Sequence, residues 1–336
     1  MKVDNGSILF LEGMALPLDL SRLSGGLPKA NLEIGFGNGE FTVRQALAHP
    51  DTLSMGMEVS PACITRCARR ASSSGNPPNL KILCADARFM MKECFADASL
   101  DRVVMNFPCP WPKTRHARRR VTTKEFADAL AAVLKIGGVF ELVTDEEWYA
   151  LDAQEKLTRH QALDLLACET NPSRPVATKY ERKWLEMGKN IIRLTVAKTE
   201  SFTVSRQTWG FWEEKEKRGE RTMHAKTRKP LPEDGLAFLF GASGAGPEDA
   251  RWVFKKHYAA VNSPNSPNSP ETPETHKNFL VETVSADGDF EQRYYLKVSA
   301  RGGDTLVKLD EMSRVFLTPA VRFSVEDLAR RLGDRD

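Results

Sequence analysis

The chain has 336 residues, with 48 Lys and Arg against 45 Asp and Glu, a net charge of +3; 41% of its residues are hydrophobic and 28% charged. At ~150 residues per domain this is a two-domain length, and the balance of apolar and charged residues excludes wholesale disorder. No apolar run approaches the ~18 residues of a membrane helix, and the polar start Met1-Lys2-Val3-Asp4-Asn5-Gly6 does not read as a secretory signal.

Asn31 to Ile34 reads as a buried strand cut off by glycines, Phe41 to Ala48 as a helix, and Leu53 to Val59 as a second strand. Ser60-Pro61 places an N-cap residue before proline at the first helical position, so a helix is expected through Arg70. Leu80 to Cys84, Leu100 to Asn106 and Val139 to Thr144 read as further strands, with a helix from Phe126 to Lys135 ended by Gly137-Gly138. Asp145 to Cys168 reads as helix and Asn190 to Lys198 as a last strand. Strand–helix alternation predicts an α/β domain over residues 1–200, with a mostly parallel sheet covered on both faces and ligands at the carboxyl ends of its strands.

Residues 201–230 carry 8 basic and 4 acidic side chains and read as a basic helical arm. Residues 231–336 carry 13 basic and 17 acidic ones. The repeated Asn-Ser-Pro of Asn262 to Pro270 forbids helix and central strand, so a disordered loop is expected near 262–275. Phe279 to Val284 and Phe290 to Val298 read as a hairpin closed at Asp287-Gly288, and Ser324-Val325-Glu326-Asp327 as the capping-box start of a last helix. That describes a small α+β accessory domain. The six cysteines, Cys63, Cys67, Cys84, Cys94, Cys109 and Cys168, form neither a disulfide framework nor paired zinc knuckles. A reduced, cytoplasmic protein with no metal site is expected.

The first strand runs into Glu33-Ile34-Gly35-Phe36-Gly37-Asn38-Gly39-Glu40. A nicotinamide-binding loop wants glycine where Glu40 stands, and a carboxylate at a helix N-terminus opposes a pyrophosphate. The spacing of Gly35, Gly37 and Gly39 behind Glu33 suits a cofactor without phosphate, whose cationic groups favour carboxylates; S-adenosylmethionine fits. Glu58 ends the second strand and is placed to accept both ribose hydroxyls; Asp86 ends the third and is placed to accept from the adenine amine. After the fourth strand, Asn106-Phe107-Pro108-Cys109-Pro110-Trp111-Pro112 makes a stiff loop, with Trp111 as a stacking platform for a base. Lys113, Arg115, Arg118, Arg119 and Arg120 follow, with no acid among them, and point to RNA phosphates.

With these motifs, residues 30–198 resemble the bacterial tRNA (guanine-N7-)-methyltransferases of the TrmB type. The resemblance rests on Leu32-Glu33-Ile34-Gly35-Phe36-Gly37, Gly56-Met57-Glu58-Val59, Phe107-Pro108 to Pro112-Lys113 with its basic run, Thr144-Asp145, and Thr178-Lys179-Tyr180-Glu181. It implies a seven-stranded, Rossmann-like class I methyltransferase sheet. It also implies S-adenosylmethionine on Glu33, Glu58 and Asp86, and tRNA as partner on Lys113, Asp145 and Thr178 to Glu181. The implied target is guanine N7 at position 46 of the variable loop. The family reads Phe-Pro-Asp-Pro-Trp and assigns its Asp both cofactor and catalytic roles; here that position is Cys109. Guanine N7 bears no proton, so the reaction needs no general base, and Asp145 and Glu181 are candidates for the missing carboxylate's electrostatic role. Two alternatives stand beside this reading. Asn106, a candidate cofactor contact at the end of the fourth strand, also loosely echoes the signature of exocyclic-amine methyltransferases. Cys109 would suit a tRNA-binding module that has lost turnover. Monomer and homodimer both remain open.

Overall fold

The computed structural model describes residues 7–334 except 12–13, 113–119, 121, 175–178, 207–223, 232–234, 248, 260–277, 289, 302 and 314, and gives the backbone alone for 179, 180 and 301. The chain divides into two compact units, residues 1–208 and 209–336.

In the first unit, chain order runs β1 (Ile8–Leu9), α1 (Leu20–Ser24), β2 (Lys29–Ile34), α2 (Glu40–Ala48), β3 (Thr52–Glu58), α3 (Pro61–Ser73), β4 (Leu80–Cys84) and α4 (Ala87–Cys94). It continues with β5 (Leu100–Asn106), α5 (Lys124–Val133), β6 (Leu134–Thr144), α6 (Glu147–Thr158), β7 (Leu163–Thr170), α7 (Lys179–Glu186) and β8 (Ile192–Lys198). The strands form one sheet in the order β1-β4-β3-β2-β5-β6-β8-β7. All pairings are parallel except those of β8, which runs antiparallel to β6 and β7. Six consecutive residues of β3, Thr52 to Met57, are buried, so both faces of the sheet centre are covered. The chain winds outward from β2 through β3 to β4, then returns to β5 on the other side of β2. This reversal puts the ligand crevice at the carboxyl ends of β2 and β5.

The sheet has eight strands where the resemblance implies seven; six are read from the sequence, and the other two are β7 and the two-residue β1 paired with β4. The stretch 145–168, read as one helix, is α6 followed by β7. Tyr149, Ala150, Ala153 and Leu157 bury a helical stripe, but His160 turns the chain without glycine or proline, and β7 lies at the sheet edge with mostly exposed residues. Helix α5 ends at Val133 rather than Lys135 and passes directly into β6; buried Lys198 donates to the carbonyls of Ala132 and Leu134 there. Gly137 and Gly138 sit inside β6 and not at the helix end. A Cβ on Gly138 would lie 3.1 Å from the carbonyl oxygens of Leu100 and Asp101, where the β5–β6 register shifts.

The second unit holds β9 (His224–Thr227), β10 (Ser243–Ala245), β11 (Ala250–Ala259), β12 (Asn278–Asp287), β13 (Phe290–Arg301), β14 (Asp304–Leu309) and α8 (Pro319–Gly333). Its antiparallel sheet has the order β10-β11-β12-β13-β14-β9. Val321, Val325, Leu328 and Leu332 of α8 pack on Trp252, Phe254, Tyr294 and Leu296. The β12–β13 hairpin stands as expected, with Gly288 at φ 59°. Two expectations change. His224–Thr227 of the basic arm is a strand, not helix, while 207–223 lie outside the described residues, as does 262–275. Helix α8 starts at Pro319 behind Thr318, so Ser324 is no cap; it is buried against the Tyr294 hydroxyl at 2.8 Å.

Candidate active site

The loop between β2 and α2 turns on Gly35, Gly37 and Gly39, at φ 70°, 56° and 72°. Such values suit glycine, since a Cβ crowds the backbone there. Gly39 has a second constraint: its Cβ would lie 2.3 Å from Cys67 Sγ on α3. Gly56 of β3 is small for the loop's sake, because a Cβ there would meet the Phe36 ring at 2.5 Å. The Gly35 N–H donates to the Met57 carbonyl at 2.8 Å and the Gly37 N–H to Glu58 Oε2 at 3.3 Å.

The three acids expected around the cofactor end the adjacent strands β2, β3 and β4. Glu58 closes β3 and also accepts from the Val59 and Ser60 N–H groups at 2.9 and 3.0 Å, so it braces the glycine loop and the turn into α3 together. Asp86 follows β4 and caps α4 through the Arg88 N–H, while the Arg88 guanidinium lies 2.5 Å from its carboxylate. Glu33, 5% exposed, accepts from Thr42 of α2 and, at 2.9 Å, from Asn106 Nδ2 at the end of β5. Burial pushes its carboxyl up, opposed by the hydrogen bonds from Thr42 and Asn106 and by the charge of Arg174. Glu40 is buried at the start of α2 and pairs with Arg182 at 2.9 Å and Arg44 at 3.5 Å. An open loop over one buried carboxylate, with a second at the helix N-terminus, fits a cationic nucleoside such as S-adenosylmethionine and repels a pyrophosphate.

The loop after β5 is fixed at both ends. The Phe107 N–H donates to the Val143 carbonyl at 2.7 Å, and the Trp111 carbonyl accepts from Arg120 Nε and Nη2 at 3.2 and 3.1 Å. Arg120, expected at RNA phosphates, is 11% exposed, lies 3.7 Å from Asp152 and stacks over Trp148 at 5.1 Å; it ties the proline loop to α6. Trp111 is half-buried and Cys109 exposed. Lys113, Arg115, Arg118 and Arg119 lie outside the described residues, as does Thr178.

Asp145 follows β6 and meets Lys189 Nζ at 2.5 Å. That hydrogen bond holds the Lys189 ammonium above its ordinary value, and the Trp184 ring lies 4.3 Å from Nζ. Asp145, Glu146, Thr170, Lys189 and Asn190 line a polar cavity of about 390 Å³. Lys179 and Tyr180 open α7. Glu181 is buried on it and accepts from Arg174 Nη1 at 2.5 Å. Arg174 also reaches Asn106 Oδ1 at 2.7 Å, so the cofactor-side acids and Glu181 meet through a residue the sequence reading did not single out. Among the described residues no three or more His, Cys, Asp or Glu cluster as a metal site would need.

A family model described as a putative methyltransferase matches residues 29–194. A tRNA (guanine-N(7)-)-methyltransferase of Thermotoga maritima is 35% identical over 94% of this chain and 93% of its own. A tRNA (guanine-N(7)-)-methyltransferase of Saccharophagus degradans is 37% identical over 52% of this chain and 78% of its own. The crystal structure of the antibiotic-resistance methyltransferase Kmr is 18% identical, with TM-score 0.43, over 56% of this chain and all of that one. The Thermotoga relative matches both units nearly end to end, and the chain belongs to the tRNA (guanine-N(7)-)-methyltransferase family.

Proposed function

We propose that this chain transfers the methyl group of S-adenosylmethionine to N7 of a guanine in tRNA, at position 46 of the variable loop. The observation that carries the reading is the family match, on a fold whose acids Glu33, Glu58 and Asp86 end neighbouring strands at the sheet's switch point. Bound there, the cofactor supplies an electrophilic methyl group on a sulfonium. Glu33 offers negative charge beneath the glycine loop, Glu58 and Asp86 offer acceptors to the nucleoside, and Asn106 orients Glu33.

On the tRNA side, Lys113, Asp145, Thr178, Lys179, Tyr180 and Glu181 receive the guanine, and Arg115, Arg118 and Arg119 its flanking phosphates. N7 presents a lone pair and no proton, so none of these residues has to remove one. Alkylation makes the purine cationic, and Asp145 and Glu181 supply the opposing charge. Cys109 contributes no fixed charge, which slows the reaction without abolishing it.

The exocyclic-amine alternative needs a free Asn106 amide. Here Nδ2 donates to Glu33 and Oδ1 accepts from Arg174, so the amide is committed to the protein on both sides and only the second lone pair of Oδ1 stays open to an incoming amine. Transfer from labelled S-adenosylmethionine to unmodified bulk tRNA, with the nucleoside identified by mass spectrometry, tests the reading. 7-Methylguanosine is expected. A methylated adenosine or cytidine replaces it with the exocyclic-amine reading, and cofactor binding without transfer replaces it with the binding module.

A further inference from the structure

A line of polar contacts runs from the cofactor side of the site to helix α7. Thr42 Oγ1 donates to Glu33, Asn106 Nδ2 donates to Glu33 Oε1 at 2.9 Å, and Arg174 Nη2 donates to Asn106 Oδ1 at 2.7 Å. Arg174 Nη1 then donates to Glu181 Oε2 at 2.5 Å. The five residues come from α2, β2, β5, the β7–α7 connection and α7. The Arg174 and Glu181 side chains are 4% and 5% exposed, and the Phe41 ring lies 5.7 Å from the guanidinium.

Each contact constrains the next. Asn106 has one workable amide orientation, because a flip would turn its oxygen onto the Glu33 carboxylate and its N–H₂ onto Arg174. Arg174 keeps its charge at any working pH, and its planar fork holds two donors in fixed, diverging directions, one on Asn106 and one on Glu181, a geometry that the single ammonium of a lysine does not reproduce. Burying a cation this deeply is costly without partners, so the fork is held where its acceptors are. Burial pushes the Glu33 carboxyl up, and the hydrogen bonds from Thr42 and Asn106 and the charge of Arg174 oppose that push. Glu33 fixes Asn106, Asn106 fixes Arg174, and Arg174 fixes Glu181.

We infer that Arg174 is a positioning residue through which the cofactor pocket sets the guanine pocket, so that the two substrates bind with positive coupling. This rests on the functional reading above. Coupling of binding free energies is reciprocal, so each ligand tightens the other by the same factor.

The test uses the full chain, unmodified tRNA and S-adenosylhomocysteine as a stable cofactor analogue, with tRNA affinity measured with and without the analogue. Wild type is expected to bind tRNA roughly fivefold or more tightly when the analogue is present. Arg174→Lys keeps the buried charge and is expected to fold, which its melting curve checks. It is expected to lose the coupling, with a factor near 1, while still binding each ligand alone. Arg174→Gln is expected to lose the coupling and to raise KM for both substrates. A merely structural role would lower stability and leave the factor intact. Coupling unchanged in Arg174→Lys, or a factor near 1 in a wild type that binds both ligands, overturns the inference alone. A wild type that binds neither ligand overturns the functional reading and the inference with it.

Discussion

Lys189 closes on Asp145 at 2.5 Å and on Glu146 at 3.8 Å, so the carboxylate assigned to the guanine shares its charge with a lysine on the short α7–β8 connection, three residues before β8 begins at Ile192. Asp145, Glu146 and Glu147 are consecutive, and Lys189 is the cation set against the first two. Lys189→Met leaves three neighbouring acids facing a polyanionic substrate. It is expected to lower kcat/KM about tenfold, mainly through KM. Steady-state kinetics with tRNA reads kcat and KM apart; an unchanged KM would show that Lys189 does not screen these acids from the substrate.

Cys109 is exposed on a loop held at Phe107 and Trp111, so replacing it disturbs little packing. Cys109→Asp adds a fixed charge where the product becomes cationic. It is expected to raise kcat by roughly ten- to a hundredfold with the melting temperature nearly unchanged. Cys109→Ser is expected to keep the wild-type rate, since attack on a methyl group by N7 needs no covalent thiol step. A dead Cys109→Ser enzyme would instead make the thiol a nucleophile.

Much of this was legible in the residues because the relevant signals are local. The glycine loop, the acids at strand ends and the Ser60-Pro61 cap are each written within a few positions, and the structure shows them as strand, turn and helix start. Strand β7 was hidden because its edge position frees it from alternation; Leu165 and Leu166 are both exposed. Helix α8 was misplaced because Ser324 mimics a cap; the helix starts earlier, at Pro319, with no side-chain cap from Thr318. Arg120 read as an RNA contact because charge alone does not show that Trp111, Trp148 and Asp152 surround it. Arg174 carried no signal at all: Asn106 lies 68 positions away in sequence, and only the sheet topology brings the two together.

The three loop glycines differ in what they tolerate. Gly35 and Gly37 have open space around a Cβ, so alanine at either meets only the strain of positive φ, about 1–2 kcal/mol. Gly39→Ala also places its Cβ 2.3 Å from Cys67 Sγ, 2.6 Å from Cys67 Cβ and 2.9 Å from its Cα. It is expected to cost roughly 1–3 kcal/mol more. Cys67→Ala is expected not to rescue it, because Cβ and Cα remain in place. Denaturant melts of the single and double variants decide this; full rescue would mean the sulfur alone set the constraint.

Glu33 sets stability against function. Burial raises its carboxyl in the folded chain, so between the unfolded and folded values the native state holds the extra proton. Stability therefore falls as pH rises through that window, and the penalty is complete above the folded value. Glu33→Gln keeps the side-chain shape and an oxygen for the Asn106 N–H₂, and the Thr42 hydroxyl can reverse to accept from the new amide. The variant is expected to melt higher than wild type at pH 7, by about 2–4 °C for each kcal/mol released. The difference should shrink toward zero as pH falls below ~4, where an unfolded glutamate is itself protonated. Affinity for S-adenosylhomocysteine should report whether Glu33 acts through charge: its ammonium remains, so binding is expected to weaken at least tenfold in the variant. A variant that is both more stable and equally tight would leave Glu33 as a buried acid with no task at the cofactor. A variant less stable at every pH would mean that the charge of Arg174 outweighs burial, and that the carboxylate is held ionised as the counter-ion of the network rather than strained by it.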